Sequence, residues 1–250
     1  MTALVEARDL TLSRGGRRVL GSASFTIEGR PAVTAVIGPN GSGKSTLLHA
    51  LAGLISPDQG SIKVLGESPG RSGRVSYVLQ SSAPPTNITP ITVRETVRMG
   101  RYPAVGRWRR FSAEDRAVVE DALARMQLTD LADRHLHELS GGQRQRVFVA
   151  QGLAQPHDVL LLDEPLTGLD LVSARTIDDL IHERTEVATI LTTHDLDEAR
   201  MADSVILIGA GTVISAGPPA QVSTRAHLET AFGLGALHDW HGFLDEHHHD

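Results

Sequence analysis

An α/β fold is what this sequence predicts, and three observations predict it. Short apolar runs rich in β-branched residues alternate with stretches of helical spacing along most of the 250 residues. That order builds a largely parallel sheet with helices packed on it. One run, Ala32 to Ile37, passes at once into Gly38-Pro39-Asn40-Gly41, a buried strand ending in a glycine-rich loop. From Val93 to about Gln155 the pattern is largely helical and heavily charged, which reads as a lobe inserted into the α/β core.

The elements follow in order. Leu4 to Leu20 alternates apolar and polar residues around Gly15-Gly16 and predicts a β-hairpin. After the Ala32 to Ile37 strand, Ser45 to Leu54 has helical spacing with Gly53 near its end. Ser61 to Leu65 and Arg74 to Leu79 read as strands, and the Pro-, Ser- and Thr-rich stretch Ser81 to Pro90 reads as a hinge or loop. Val159 to Leu162, Ala188 to Leu191 and Ser204 to Ile208 are further strands, separated by helical stretches. From His238 the chain is rich in His and acidic residues and reads as a loose tail.

Composition narrows the function. With 40% hydrophobic and 22% charged residues, the balance is that of an ordinary soluble globular domain. The net charge of -6 argues against nucleic acid as a partner, since phosphate contacts call for a basic surface. There is no cysteine, hence no disulfide and no thiolate metal site. The N-terminal residues carry no basic stretch followed by an apolar run, so no signal peptide is expected. The longest apolar runs, such as Val159 to Leu162, fall far short of the roughly 20 residues of a spanning helix.

Gly38-Pro39-Asn40-Gly41-Ser42-Gly43-Lys44-Ser45, continuing into Thr46, fits G-x-x-x-x-G-K-[ST] between a strand and a helix. Glycines let the backbone wrap an anion with successive N–H groups pointing inward. The helix behind presents its positive end to phosphates. Lys44 is placed to reach the β- and γ-phosphates of ATP, and the Ser45 hydroxyl to bind Mg²⁺.

Val159-Leu160-Leu161-Leu162-Asp163-Glu164 is an apolar strand closing on two carboxylates. Ligands of open α/β sheets sit at the carboxyl ends of strands. Asp163 is then a Mg²⁺ ligand, and Glu164 the group that polarises the water attacking the γ-phosphate. Taken alone, the pair equally fits a strand leaving into a polar turn.

Leu139-Ser140-Gly141-Gly142-Gln143 opens another helical stretch, a serine-led N-terminus suited to an anion. Two phosphate-type sites in one chain suggest that this one serves a nucleotide held mainly by another copy.

The same five residues resemble the signature sequence of ABC-family ATPases. Gln80 is similar to the family's Q-loop glutamine, which senses Mg²⁺ and contacts the membrane subunit. Leu169-Asp170 is similar to the D-loop that crosses the dimer interface, and His194 in Thr192-Thr193-His194-Asp195 to the switch histidine on the γ-phosphate. The likeness runs from about Leu4 to Phe232. It implies a P-loop NTPase core of ABC type with an antiparallel β subdomain and an inserted α-helical subdomain. The ATP-binding domain would span 1–235, with the lobe at about 90–155 and a His-rich tail at 236–250.

The resemblance also implies a mechanism. Two copies face head to tail, each ATP lying between Lys44 of one and Ser140-Gly141-Gly142 of the other. Closure on ATP and opening after hydrolysis drive separate integral-membrane permease subunits, which places the chain peripherally on the cytoplasmic face of the membrane. ATP shifts the population because it binds the closed state preferentially. Where the family has an aromatic residue to stack on adenine, this sequence has Arg14. A guanidinium plane stacks on a base; the alternative is a solvent-exposed Arg14 and a loosely held adenine.

Ile91 to Tyr102 is similar to the branch of the family that imports zinc and manganese, as is Asp130 to Arg134 leading into Glu138 to Phe148. Siderophore and cobalamin importers share parts of these stretches, and some exporters of the family share the arrangement of separate membrane subunits, so an exporter ATPase is a further alternative. An extracytoplasmic metal-binding protein would then be an indirect partner. Arg101-Tyr102-Pro103 through Arg107-Trp108-Arg109-Arg110-Phe111 mixes cations with aromatics, suiting a permease loop, lipid headgroups or an ordinary charged surface. His238, His241 and His247-His248-His249 allow a metal-sensing tail or a plain polar one. Soluble ABC machines of ribosomes or DNA carry two nucleotide-binding sets or a long coiled-coil insertion, and this chain has neither. A module that holds ATP without hydrolysing it would not need Glu164 and His194.

Overall fold

The computed structural model describes residues 3–29, 33–70, 74–79, 91–105, 110–183 and 187–233. The chain forms two compact units, Met1–Arg71 with Thr192–Asp250, and Ser72–Leu191.

The first unit opens with β1 (Val5–Arg14) and β2 (Arg17–Ile27), antiparallel about a turn in which Gly15 and Gly16 both have positive φ. The second strand runs past Leu20 to Ile27, beyond the expected hairpin. Val5 and Ala7 are buried, then Leu10 and Leu12. The alternation slips one residue at Asp9, whose φ is 48° and where the register shifts, so a bulge keeps both pairs facing inward. β3 (Val33–Ile37) is followed by α1 (Lys44–Leu51). The helix stops short of Leu54 because Gly53 turns to φ +73°, where an added Cβ would lie 2.6 Å from the Gly70 nitrogen. β4 (Gln59–Val64) pairs antiparallel with β1, completing a sheet of order β2-β1-β4. Leu65, expected in that strand, ends it at φ 54°.

The second unit begins with β5 (Val75–Val78) and continues through α2 (Val93–Met99), α3 (Tyr102–Val105), α4 (Ala113–Arg125) and α5 (Gly141–Ala154). Then come β6 (Val159–Asp163), parallel to β5, α6 (Leu171–His182) and β7 (Ala188–Thr193). The last two residues of β7 already belong to the first unit. The strand order here is β5-β6-β7, and β6 is buried along its whole length, as its unbroken apolar run requires. Capping boxes open three of the helices: Thr92 with Glu95, Ser112 with Asp115, and Ser140 with Gln143. Arg101 ties the helices together. It donates to Asp115 from Nη2 at 2.8 Å and to the Ala154 carbonyl from Nη1 at 3.1 Å.

On returning to the first unit the chain forms α7 (Leu196–Met201), β8 (Ser204–Gly209), β9 (Thr212–Gly217), α8 (Pro219–Val222) and α9 (Arg225–Phe232). β3 pairs parallel with β8, and β8 antiparallel with β9. Among the described residues no helix is long and apolar enough to cross a membrane.

Candidate functional site

The glycine-rich loop between β3 and α1 is set by backbone geometry. Gly38, Gly41 and Gly43 all have positive φ, at 152°, 78° and 111°. Gly38 has a second constraint: a Cβ there would lie 2.1 Å from the Ile208 carbonyl oxygen of β8. At Gly43 a Cβ would come within 2.9 Å of Val19 Cγ1, so β2 backs the loop. Alternating handedness of this kind turns amides toward a common centre and makes an anion cradle.

Lys44 begins α1 and is only 5% exposed. Its Nζ donates to the Gly38 carbonyl at 2.8 Å and the Pro39 carbonyl at 3.3 Å, which holds the ammonium against the loop. The Ser42 hydroxyl is buried and has no hydrogen-bond partner among the described residues. A buried polar atom in that state is costly unless a ligand pairs with it. The cradle and this hydroxyl both fit a bound phosphate. Ser45 and Thr46 follow in the first turn of the helix, with Thr46 buried.

Also in the first unit, Arg14 is exposed at the hairpin tip, opposite Arg17. Val19 of the hairpin lies behind Gly43, a placement that sequence reasoning missed. His194 is exposed directly after β7, between buried Thr193 and Asp195, the N-cap of α7. Thr193 Oγ1 accepts from the Asp195 N–H at 2.9 Å, which fixes the turn carrying His194.

In the second unit, Asp163 ends β6, buried, and accepts a hydrogen bond from the Tyr77 hydroxyl at 3.2 Å. Tyr77 stands on the adjacent β5, opposite Leu161 in register. Glu164 follows with φ 46°, a left-handed conformation that a non-glycine residue adopts at a cost of about 1–3 kcal/mol. Asp163 closes the extended strand and Glu164 is left-handed, so the backbone turns between the two residues.

The signature residues open α5. Ser140 Oγ accepts from the Gln143 N–H at 3.2 Å, and Gln143 Oε1 from the Ser140 N–H at 2.9 Å. Gly141 is open, with nothing within 4 Å of an added Cβ. Gly142 is the opposite: a Cβ would meet Asp170 Oδ2 at 2.2 Å and Ser173 Oγ at 2.5 Å. Asp170 caps α6, accepting from the Ser173 N–H and hydroxyl at 2.9 Å each. The Ser173 N–H, and then its hydroxyl, hold the Asp170 carboxyl below its ordinary range. The structure therefore brings the signature turn and Asp170 together. Gln80, the Ser81 to Pro90 hinge, Arg107 to Arg109 and the His-rich tail lie outside the described residues.

A glycine cradle between a parallel strand and a helix, and a buried strand that ends on carboxylates, are the features that define the class of P-loop nucleotide-binding proteins. The family model described as ABC transporter matches residues 20–167. The chain is 39% identical over 223 residues to the manganese transport system ATP-binding protein MntA of Synechocystis sp., covering 87% of this chain and 85% of that one. It is 39% identical over 224 residues to the chelated iron transport system membrane protein YfeB of Yersinia pestis, covering 87% and 75%. Among solved structures, cbiO1 of Clostridium perfringens, part of the ABC transporter complex cbiONQ, matches with a TM-score of 0.73 at 28% identity, covering 91% and 93%. This chain belongs to the ABC transporter family, as an ATP-binding domain whose ATPase activity is coupled to transport. ATPase subunits of this family work with membrane permease subunits.

Proposed function

We propose that this chain binds and hydrolyses ATP to energise import of a metal ion through separate permease subunits, from the cytoplasmic face of the membrane. The observation that carries the ATP reading is the loop itself: three glycines at positive φ, a buried Lys44 held on the loop carbonyls and the unpartnered Ser42 hydroxyl.

In this reading residues 38–46 bind the triphosphate through loop amides, and Lys44 serves the β- and γ-phosphates. Ser45, Asp163 and Gln80 hold Mg²⁺, which when bound neutralises charge on the phosphates. Glu164 accepts a proton from the attacking water, and His194 contacts the γ-phosphate. Ser140, Gly141, Gly142 and Gln143 complete the site of a second copy, with Asp170 at that contact and Arg14 against the adenine. The ATP-binding domain takes in about residues 1–235, its helical lobe about 90–155, and 236–250 form a tail. An extracytoplasmic metal-binding protein delivers the cargo to the permease.

Manganese is the cargo supported by the 39% identity to a manganese transport protein. A chelated metal, of siderophore or cobalamin type, is the second reading, favoured by equal identity to a chelated iron transport protein. Phosphate release by the purified chain tests the ATP assignment. Wild type turns ATP over, and Glu164→Gln binds ATP, stops turnover and accumulates as a dimer. A monomeric Glu164→Gln with normal turnover removes the proposed role.

A further inference from the structure

Asn40 and Gly41 are adjacent in the phosphate loop, and both are exposed. The Ser42 N–H donates to the Pro39 carbonyl at 3.2 Å, so the two residues form the centre of a β-turn. Gly41 has φ +78°, the value a type II turn asks of its third residue. The turn uses the Ser42 amide and leaves the Gly41 amide without a backbone acceptor among the described residues. Among them, too, no hydrogen bond holds the Asn40 side chain. Nothing lies within 4 Å of a Cβ placed on Gly41, so the space around this peptide is open.

An asparagine followed by glycine can close on the chain, because glycine has no Cβ to hinder the ring. The deprotonated Gly41 nitrogen attacks Asn40 Cγ. An N–Cγ bond forms, the Cγ–Nδ2 bond breaks, and ammonia leaves with the proton that the amide gave up. Water then opens the resulting cyclic imide. Opening at Cγ leaves aspartate, and opening at the main-chain carbonyl leaves isoaspartate, with the chain running through the side chain. Nothing is oxidised or reduced. We propose that Asn40–Gly41 is a site of spontaneous deamidation. Its place in the loop gives the reaction a consequence. The ring consumes the Gly41 N–H, one donor of the anion cradle, and either product sets a carboxylate beside the phosphates. Conversely, a phosphate oxygen that accepts from the Gly41 N–H withholds that nitrogen from the ring, so bound nucleotide shields the site. The shielding rests on the ATP reading of this loop; the reactivity of the free chain does not.

Peptide mass mapping of the full chain tests this, after warm incubation without nucleotide in mildly alkaline buffer. The Asn40 peptide should gain the mass of NH exchanged for O and separate into aspartate and isoaspartate forms. Asn87, the other asparagine, is followed by the β-branched Ile88 and should lag far behind. Nucleotide affinity should fall in step with conversion. Adenylyl imidodiphosphate with Mg²⁺, at about 100 times its Kd, leaves about 1% of the chain free, so conversion should slow about 100-fold. Asn40→Ser, whatever its starting affinity, should keep that affinity over the same incubation. An Asn40 peptide as stable as the Asn87 peptide overturns the proposal. So does an analogue that binds, by fluorescence, without slowing the conversion. Conversion at Asn40 in a chain that binds no analogue supports the site and counts against the ATP reading alone.

Discussion

Gly142 sits so close to Asp170 that a Cβ on the glycine would lie 2.2 Å from the aspartate Oδ2. The signature turn is thereby packed onto the carboxylate that caps α6. Gly142→Ala must displace Asp170 and give up its bonds to Ser173. The expected loss is about 2 kcal/mol, combining overpacking with a lost cap. Urea unfolding should show it as a lower midpoint, and Asp170→Ala should add little on top because the cap is already gone. Fully additive losses would separate the two residues.

The phosphate loop should be less forgiving still. Gly38→Ala drives a methyl into the Ile208 carbonyl, a backbone atom that cannot swing aside. ATP binding, followed by fluorescence of a nucleotide analogue, should fall below detection. Lys44→Ala leaves the backbone intact but removes a charge-assisted contact of about 1.5–3 kcal/mol, so affinity should fall about 10- to 100-fold. An affinity unchanged in Lys44→Ala removes the lysine from the phosphate site.

Strain at Glu164 gives a prediction of opposite sign for stability and activity. Its φ of 46° suits glycine. Glu164→Gly should stop turnover while unfolding no more easily than wild type, and by up to about 1 kcal/mol less easily. Glu164→Gln keeps the strain and stops turnover equally. Thermal unfolding of the two variants side by side distinguishes relief of strain from loss of charge.

Acid should weaken the helical elements through Asp115. The Ser112 N–H, the Arg101 guanidinium and the Ser112 hydroxyl lower its pKa from 3.8 to about 2. A depressed carboxylate stabilises the fold above the unfolded-state pKa, and the contribution disappears as pH falls through the folded value. Asp115→Asn should therefore flatten the loss of stability between about pH 4 and pH 2. Urea midpoints measured across that window check it, and identical pH profiles for variant and wild type would contradict the assignment.

Much of this was readable because the informative residues are neighbours in sequence. Gly38 to Ser45 and Leu139 to Gln143 are each a short unbroken segment of sequence, and local spacing carries their geometry. The apolar run into Asp163 shows a strand buried on both faces. Contacts across the chain left no such trace. Tyr77 reaches Asp163 from the adjacent strand, and Val19 reaches Gly43 from the hairpin, yet neither stands in a local motif. β9 escaped notice because all six of its residues are half-buried and show no alternation. α8 has four residues and α9 eight, too few for helical periodicity to stand out. The end of α1 was misplaced because the approach of Gly53 to Gly70 is a tertiary fact.

Cellular metal content is the most direct measurement of the central claim. It would be read by mass spectrometry in cells lacking this chain, complemented with wild type or Glu164→Gln and grown with limiting metal. If ATP hydrolysis by this chain drives import, manganese falls in the deletion and only wild type restores it. Restoration by Glu164→Gln, or no change in any metal, would contradict import driven by ATP hydrolysis at this site.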